Sequence, residues 1–83
     1  MNFKAEIDIM PLKALLDPQG KAVSASMSNL GLAEISEVRI GKHISLHVEA
    51  VNETEASTKV DEACKKLLAN EIMESYEFVL SEA

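Results

Sequence analysis

Residues 3–9 read Phe3-Lys4-Ala5-Glu6-Ile7-Asp8-Ile9, with Phe3, Ala5, Ile7 and Ile9 on one side of an extended chain and Lys4, Glu6 and Asp8 on the other. A period of two is the mark of a strand with one buried face. Met10-Pro11 ends it, and residues 12–16 form a leucine-rich connection to Asp17-Pro18. That pair predicts a helix start, because an aspartate at the N-cap accepts bonds from the free amides of the first turn and a proline at the first helical position leaves no amide unpaired. The helix is expected from Pro18 to about Leu30, with a modest apolar stripe through Ala22, Val23, Ser26, Met27 and Leu30 and Gly31 as its stop.

Beyond it, Val38 and Ile40 share one face of a second expected strand, and Ile44, Leu46, Val48 and Ala50 share one face of a third. Gly41-Lys42-His43 between them is the odd-numbered connection that sets Ile40 opposite Ile44 in a hairpin with both apolar sets inward. Ile35 is out of phase with Val38, so a bulge or a late strand start is expected near Ser36-Glu37. Asn52, with Glu55 three residues on, caps a second helix in the manner of a capping box. Ala56, Val60, Ala63, Cys64, Leu67 and Leu68 follow at helical spacing. Tyr76, Phe78 and Leu80, alternating with Glu77, Val79 and Ser81, predict a last strand. The order βαββαβ, with right-handed crossovers, places two helices on one face of an antiparallel sheet: an α+β, two-layer ferredoxin-like sandwich. The other face would present Lys4, Glu6, Asp8, Arg39, Ser45, His47, Glu49 and Val79 to water or to a second copy of the chain.

Eighty-three residues, 9.0 kDa, make a single domain, 1–83. Folding at this size buries only about 60% of the unfolded chain's surface, which leaves little core from which to carve a substrate cavity. Hydrophobic residues are 47% and charged residues 27%, a globular balance. Residues 1–48 hold five basic and five acidic side chains, so the net charge of −6 lies wholly in residues 49–83, with three basic against nine acidic. An acidic chain with 4% aromatics repels phosphate backbones and anionic lipid and offers bases little to stack on. Neither nucleic acid nor a membrane surface is the expected partner. One cysteine permits no internal disulfide, and the alternating N-terminus does not read as a signal peptide, so the cytoplasm is the expected compartment.

Chemistry-bearing residues are sparse. His43 and His47 stand four apart on a strand, about 13 Å by strand rise, with Glu49 two further on. Zinc needs three or four ligands in tetrahedral geometry, so these read as solvated side chains. Cys64 falls on the inner stripe of the second helix, where a thiol packs as a small hydrophobe. Asp17, Glu34, Glu37 and Glu49 form no pair that must share a cleft. Asn52-Glu53-Thr54 reads as a cap before it reads as a glycosylation acceptor, and three scattered glycines make no phosphate loop. No catalytic or metal-binding residue is assigned. The segment Leu12-Lys13-Ala14-Leu15-Leu16-Asp17-Pro18-Gln19-Gly20 has two readings: a connection whose leucines cover the end of the core, or an apolar contact that docks on a larger protein.

Several runs carry a resemblance. Leu16-Asp17-Pro18-Gln19-Gly20-Lys21-Ala22-Val23, then Asn29-Leu30-Gly31, Val38-Arg39-Ile40-Gly41-Lys42 and Cys64-Lys65-Lys66-Leu67-Leu68-Ala69-Asn70, with Tyr76-Glu77 near the end, resemble the PurS family, the small subunit of phosphoribosylformylglycinamidine (FGAM) synthase. The likeness spans nearly the whole chain in order. It departs at Glu71, where the family usually has proline. It implies a role in the step of de novo purine biosynthesis that uses ATP and glutamine to convert formylglycinamide ribonucleotide (FGAR) to FGAM. In the family, the ATP and Mg site belongs to a large synthetase subunit, PurL, and the glutamine-hydrolysing cysteine to an amidotransferase subunit, PurQ. The small subunit holds no cofactor and no active site and, as a homodimer or higher homo-oligomer, bridges the other two. Candidate contact residues are Leu15, Leu16, Asp17, Pro18, Gln19, Gly20, Arg39, Gly41 and Lys42. Two other classes fit a small α+β domain. One is a free-standing regulatory module that binds an effector at a dimer interface. The other is an acylphosphatase-type hydrolase, which needs an anion cradle and an arginine after the first strand, whereas Arg39 is the only arginine and stands elsewhere.

Overall fold

A computed structural model describes residues 1–13 and 17–83. Three strands, β1 (Asn2–Pro11), β2 (Lys42–Glu49) and β3 (Glu74–Glu82), form one antiparallel sheet in the order β2-β1-β3. Two helices, α1 (Pro18–Asn29) and α2 (Glu53–Ala63), complete the α+β fold. The alternation read in residues 3–9 sets the register of the whole sheet. Ala5 lies between Leu46 and Leu80, and Ile7 between Ile44 and Phe78. Phe3, Ala5, Ile7 and Ile9 are all buried, because the central strand is flanked on both sides and roofed by α2.

Asn52 caps α2 as expected, its side-chain oxygen accepting from the Glu55 N–H at 2.8 Å, while the Glu55 carboxylate turns to Lys59 at 3.2 Å. Ala56, Val60 and Cys64 point into the core. From Cys64 to Leu68 the backbone winds as a π turn, closed by the Ala69 N–H on the Cys64 carbonyl at 2.9 Å. One extra residue per turn breaks the α-helical stripe. Ala69 takes the inward position, Leu68 is half-buried, and Leu67, expected inside, is 82% exposed.

The expected strand at Val38–Ile40, and its hairpin with Ile44, do not form; among the described residues three strands replace the predicted four. Amides that a sheet ladder would use are taken instead by side chains of α1 and its N-cap. The Val38 N–H donates to Ser24 Oγ at 3.0 Å and the Ile40 N–H to Asp17 Oδ2 at 2.9 Å. The bulge expected near Ser36-Glu37 is replaced by a left-handed residue, Glu37 with φ 55°. Arg39, expected on the open sheet face, donates to the Pro11 carbonyl at the sheet's end.

Helix α1 begins and ends close to expectation. Asp17 is its N-cap, Pro18 its first residue, and Leu30 its C-cap, followed by Gly31 at φ 79°. Covering the sheet, however, falls to α2. Only Gly20 of α1 is buried, and its stripe splits into half-buried Val23 and Met27 and exposed Ala22, Ser26 and Leu30. With the returning segment to Ile40 bonded along it, α1 forms an arm. The molecule is accordingly 52 Å long by 25 and 14 Å, with a radius of gyration of 16.4 Å against about 12 Å for a compact chain of this length.

Candidate contact site at the root of the first helix

The end of β1, the first turn of α1, the segment 38–42 and the loop before β3 converge at one end of the sheet. Asp17 is the knot. Its Oδ1 accepts from the Gly20 N–H at 3.0 Å, closing the first turn, and its Oδ2 accepts from Ile40, twenty-three residues away. These two amides, with the positive charge of Arg39, hold its carboxyl below the usual aspartate range. Two glycines let the backbones meet. A Cβ on Gly20 would overlap the Val38 carbonyl and stand 2.6 Å from Asp17 Oδ2, and one on Gly41 would overlap Met10 Sδ and the Ile9 carbonyl. Gly20 and Gly41 therefore serve close packing at the root itself.

Around this knot lie two hollows. One, of about 440 Å3, is lined by Pro11, Asp17, Pro18, Gln19, Ile40, Asn70, Met73 and Glu74. The other, of about 390 Å3, is lined by Lys13, Asp17, Glu37, Val38 and Arg39. The structure thus gathers Asp17, Pro18, Gln19, Gly20, Arg39, Gly41 and Lys42 into one place, although they come from two stretches of sequence. Leu15 and Leu16 lie outside the described residues. The far wall was not anticipated by sequence reasoning. Asn70 turns the loop, its carbonyl accepting from Met73 at 2.9 Å and its side chain from Ile72 at 3.1 Å, and the Leu12 N–H donates to the Met73 carbonyl at 2.9 Å. Glu71 occupies the position after Asn70 in that turn, where proline is favoured for its fixed φ but is not required. Glu74 accepts from the Asn70 N–H at 2.9 Å and pairs with Lys42 at 3.7 Å. Asp17, Arg39, Lys42, Asn70 and Glu74 are committed to bonds that hold the root together.

Elsewhere, the open sheet face carries one polar cluster. His43 Nδ1 lies 2.6 Å from Asp8 Oδ1 and its Nε2 lies 2.5 Å from Glu6 Oε2, while Ser45 donates to Glu6 at 3.1 Å. Asp8 first, then Glu6, raises the His43 imidazole, and His43 first, then Lys4, holds Glu6 down at about 2. His43 and His47 are not brought together; His43 pairs with Asp8 and His47 with Lys4 in the ladder. Cys64 is buried against β1, and that burial, more than the nearby Asp61, pushes its thiol up, the reverse of an activated nucleophile. Tyr76 donates to Asp61 at 2.5 Å, tying β3 to α2. No helix among the described residues is long and apolar enough to cross a membrane.

Comparison with known proteins agrees with this anatomy. Residues 4–82 match the family model PurS, phosphoribosylformylglycinamidine (FGAM) synthase. The subunit PurS of phosphoribosylformylglycinamidine synthase from Synechocystis is 44% identical, over 96% of this chain and 80% of that one. The Bacillus subtilis PurS structure superposes with a TM-score of 0.88 at 34% identity, covering 96% of this chain and 99% of its own. A chain of the PurLQS structure from Thermotoga maritima superposes with a TM-score of 0.87 at 32% identity, covering 98% and 99%. The chain belongs to the PurS family of phosphoribosylformylglycinamidine synthase subunits.

Proposed function

We propose that this chain is the non-catalytic small subunit of an FGAM synthase, bridging a PurL-type synthetase and a PurQ-type glutaminase in the conversion of FGAR to FGAM. The observation that carries this is the match to a chain of a PurLQS assembly over 98% of the sequence. The site's chemistry supports it: Asp17, Arg39 and Glu74 are spent on structural bonds, and Cys64 is buried. ATP and Mg belong to the synthetase partner, ammonia from glutamine to the glutaminase, and the assembly to the cytoplasm. The family match from residue 4 to 82 does not favour the free-standing effector module.

In the same reading, the chain acts as a homodimer or higher homo-oligomer, and the root of α1, from Leu15 through Gly20 with Arg39, Gly41 and Lys42, meets the synthetase. Reconstitution tests both. The chain alone turns over neither ATP nor glutamine, and adding it to the synthetase and glutaminase restores glutamine-dependent FGAM formation. An equal rate without the chain overturns the bridging role. If Leu15 or Leu16 meets the synthetase, its aspartate variant, Leu15→Asp or Leu16→Asp, loses that binding with the melting temperature retained; strong destabilisation of both variants assigns the leucines to the core instead, and unchanged assembly by both stable variants rules out docking through this segment.

A further inference from the structure

The backbone phase of the sheet fixes which side chains meet on its open face. The Ala50 N–H donates to the Met1 carbonyl. Hydrogen-bonded and non-hydrogen-bonded pairs alternate along an antiparallel ladder, so toward β2 the bonded pairs include Ile7–Ile44 and Ile9–Lys42, and Asp8–His43 between them is a non-bonded pair. At such a pair the strands stand closest, with Cα atoms about 4.5 Å apart. Toward β3 the same Asp8 lies directly opposite Glu77. Like charges directly opposite destabilise two paired strands, and the row Glu77, Asp8, His43 therefore needs a positive charge at its end.

Three strands bring charge to this part of the sheet. Lys4, Glu6 and Asp8 come from β1, Lys42, His43 and His47 from β2, and Glu74 and Glu77 from β3. Lys4 is engaged with Glu6 at 3.1 Å and Lys42 with Glu74 at 3.7 Å. Among the described residues, His43 is the one cation paired with Asp8, and none is paired with Glu77. The His43 ring meets a carboxylate at each nitrogen, Asp8 at 2.6 Å and Glu6 at 2.5 Å. Only the imidazolium donates from both nitrogens; the neutral ring has a single N–H and turns a lone pair on the second carboxylate.

We infer that His43 is a proton-operated latch at the start of β2: its imidazolium clasps Asp8 and Glu6, and loss of the proton frees one of them and leaves Asp8 against Glu77, so that His43 and Lys42 part from β1. The ring's raised titration, caused first by Asp8 and then by Glu6, puts the release above pH 6.5. An exposed ion pair is weak, so the release is a local opening and not unfolding. The ladder ends at Ile9–Lys42, and Gly41 leads from there into the root, so proton loss slackens the root and not the middle of the sheet. The Hα–Hα NOE across a non-bonded pair is strong only while the strands are closed. In the full chain it is measured for Asp8–His43 and, as a reference at the other end of the same two strands, for Lys4–His47, while the His43 ring proton follows the titration. The ratio of the two is expected to fall at least twofold as the pH rises along the His43 curve. In His43→Gln, which never carries the charge, it is low at every pH; in Glu77→Gln, which removes the opposing charge, it stays high. Both positions are exposed, so neither substitution disturbs the core. A ratio that is constant in the unaltered chain, is high or pH-dependent in His43→Gln, or falls undiminished in Glu77→Gln overturns the latch.

Discussion

Replacing Gly20 by alanine separates the root geometry from ordinary helix energetics. In a free helix the change is favourable, by up to about 1 kcal/mol, because glycine loses the most backbone freedom on ordering. Here the new methyl overlaps the Val38 carbonyl and comes within 2.6 Å of Asp17 Oδ2, where ordinary contact begins at 3.4 Å. Relief requires the segment 38–40 to withdraw, which strains its bonds to Ser24 and Asp17. Overpacking costs roughly 1–3 kcal/mol, and because the atom met is backbone and not a flexible side chain the cost lies in the upper part of that range, about 2–3 kcal/mol, so the balance is a net loss of about 1–2 kcal/mol. At about 4–8 °C per kcal/mol for a domain of this size, the melting temperature falls by roughly 4–16 °C. Calorimetry measures it, with Ser28→Ala in the exposed part of the same helix as the propensity control. If Gly20→Ala is as stable as the control or more so, the close approach of Val38 to α1 does not exist in solution and the account of why residues 38–40 leave the sheet fails.

Other outcomes follow from the same structure. Ile7→Ala, at a wholly buried position in the central strand, is expected to cost about 2–5 kcal/mol; denaturant titration measures it, and a loss under 1 kcal/mol contradicts the assigned core. Cys64 should react with a thiol reagent at pH 8 only as fast as the protein unfolds, since it is buried with its thiol pushed up; fast native-state labelling contradicts that. Tyr76 is the single tyrosine, and its bond to Asp61 pushes its phenol up to about 12, so tyrosinate absorbance should stay low until near that pH and return toward 10 in Asp61→Asn. The His43 cluster predicts a stability window. His43 is raised, so its contribution is complete below 6.5 and is lost as the pH climbs through its folded value. Glu6 is lowered from 4.5 to about 2, so its contribution is present above 4.5 and is lost as the pH falls toward 2. NMR titration should place His43 above 6.5 and Asp8→Asn should lower it.

What the sequence determined by itself was whatever depends on near neighbours. Alternation in residues 3–9 and 76–80 specifies strands because successive side chains must point to opposite faces. Asp17-Pro18 and Asn52-Glu55 specify helix starts because a cap bonds within three residues of itself. The runs that resemble PurS marked the family, and most of the root's residues were legible as part of those runs. Met73 and Glu74 were not, since the wall they form depends on a loop folding back to Leu12. Tertiary structure alone decided three further things. A π turn moved Leu67 outward and Ala69 inward, and no apolar period announces where one residue is inserted. The arm stands away from the sheet although its helix carries an apolar stripe, because a stripe marks one face of a helix as apolar and does not say which element that face meets. Finally, Val38 and Ile40 alternate like strand residues yet form none. Their amides had a choice between a sheet edge and two side chains on α1, and Gly20 lets the backbone come close enough for Asp17 and Ser24 to win them; competition between groups more than a dozen residues apart leaves no trace in the local pattern.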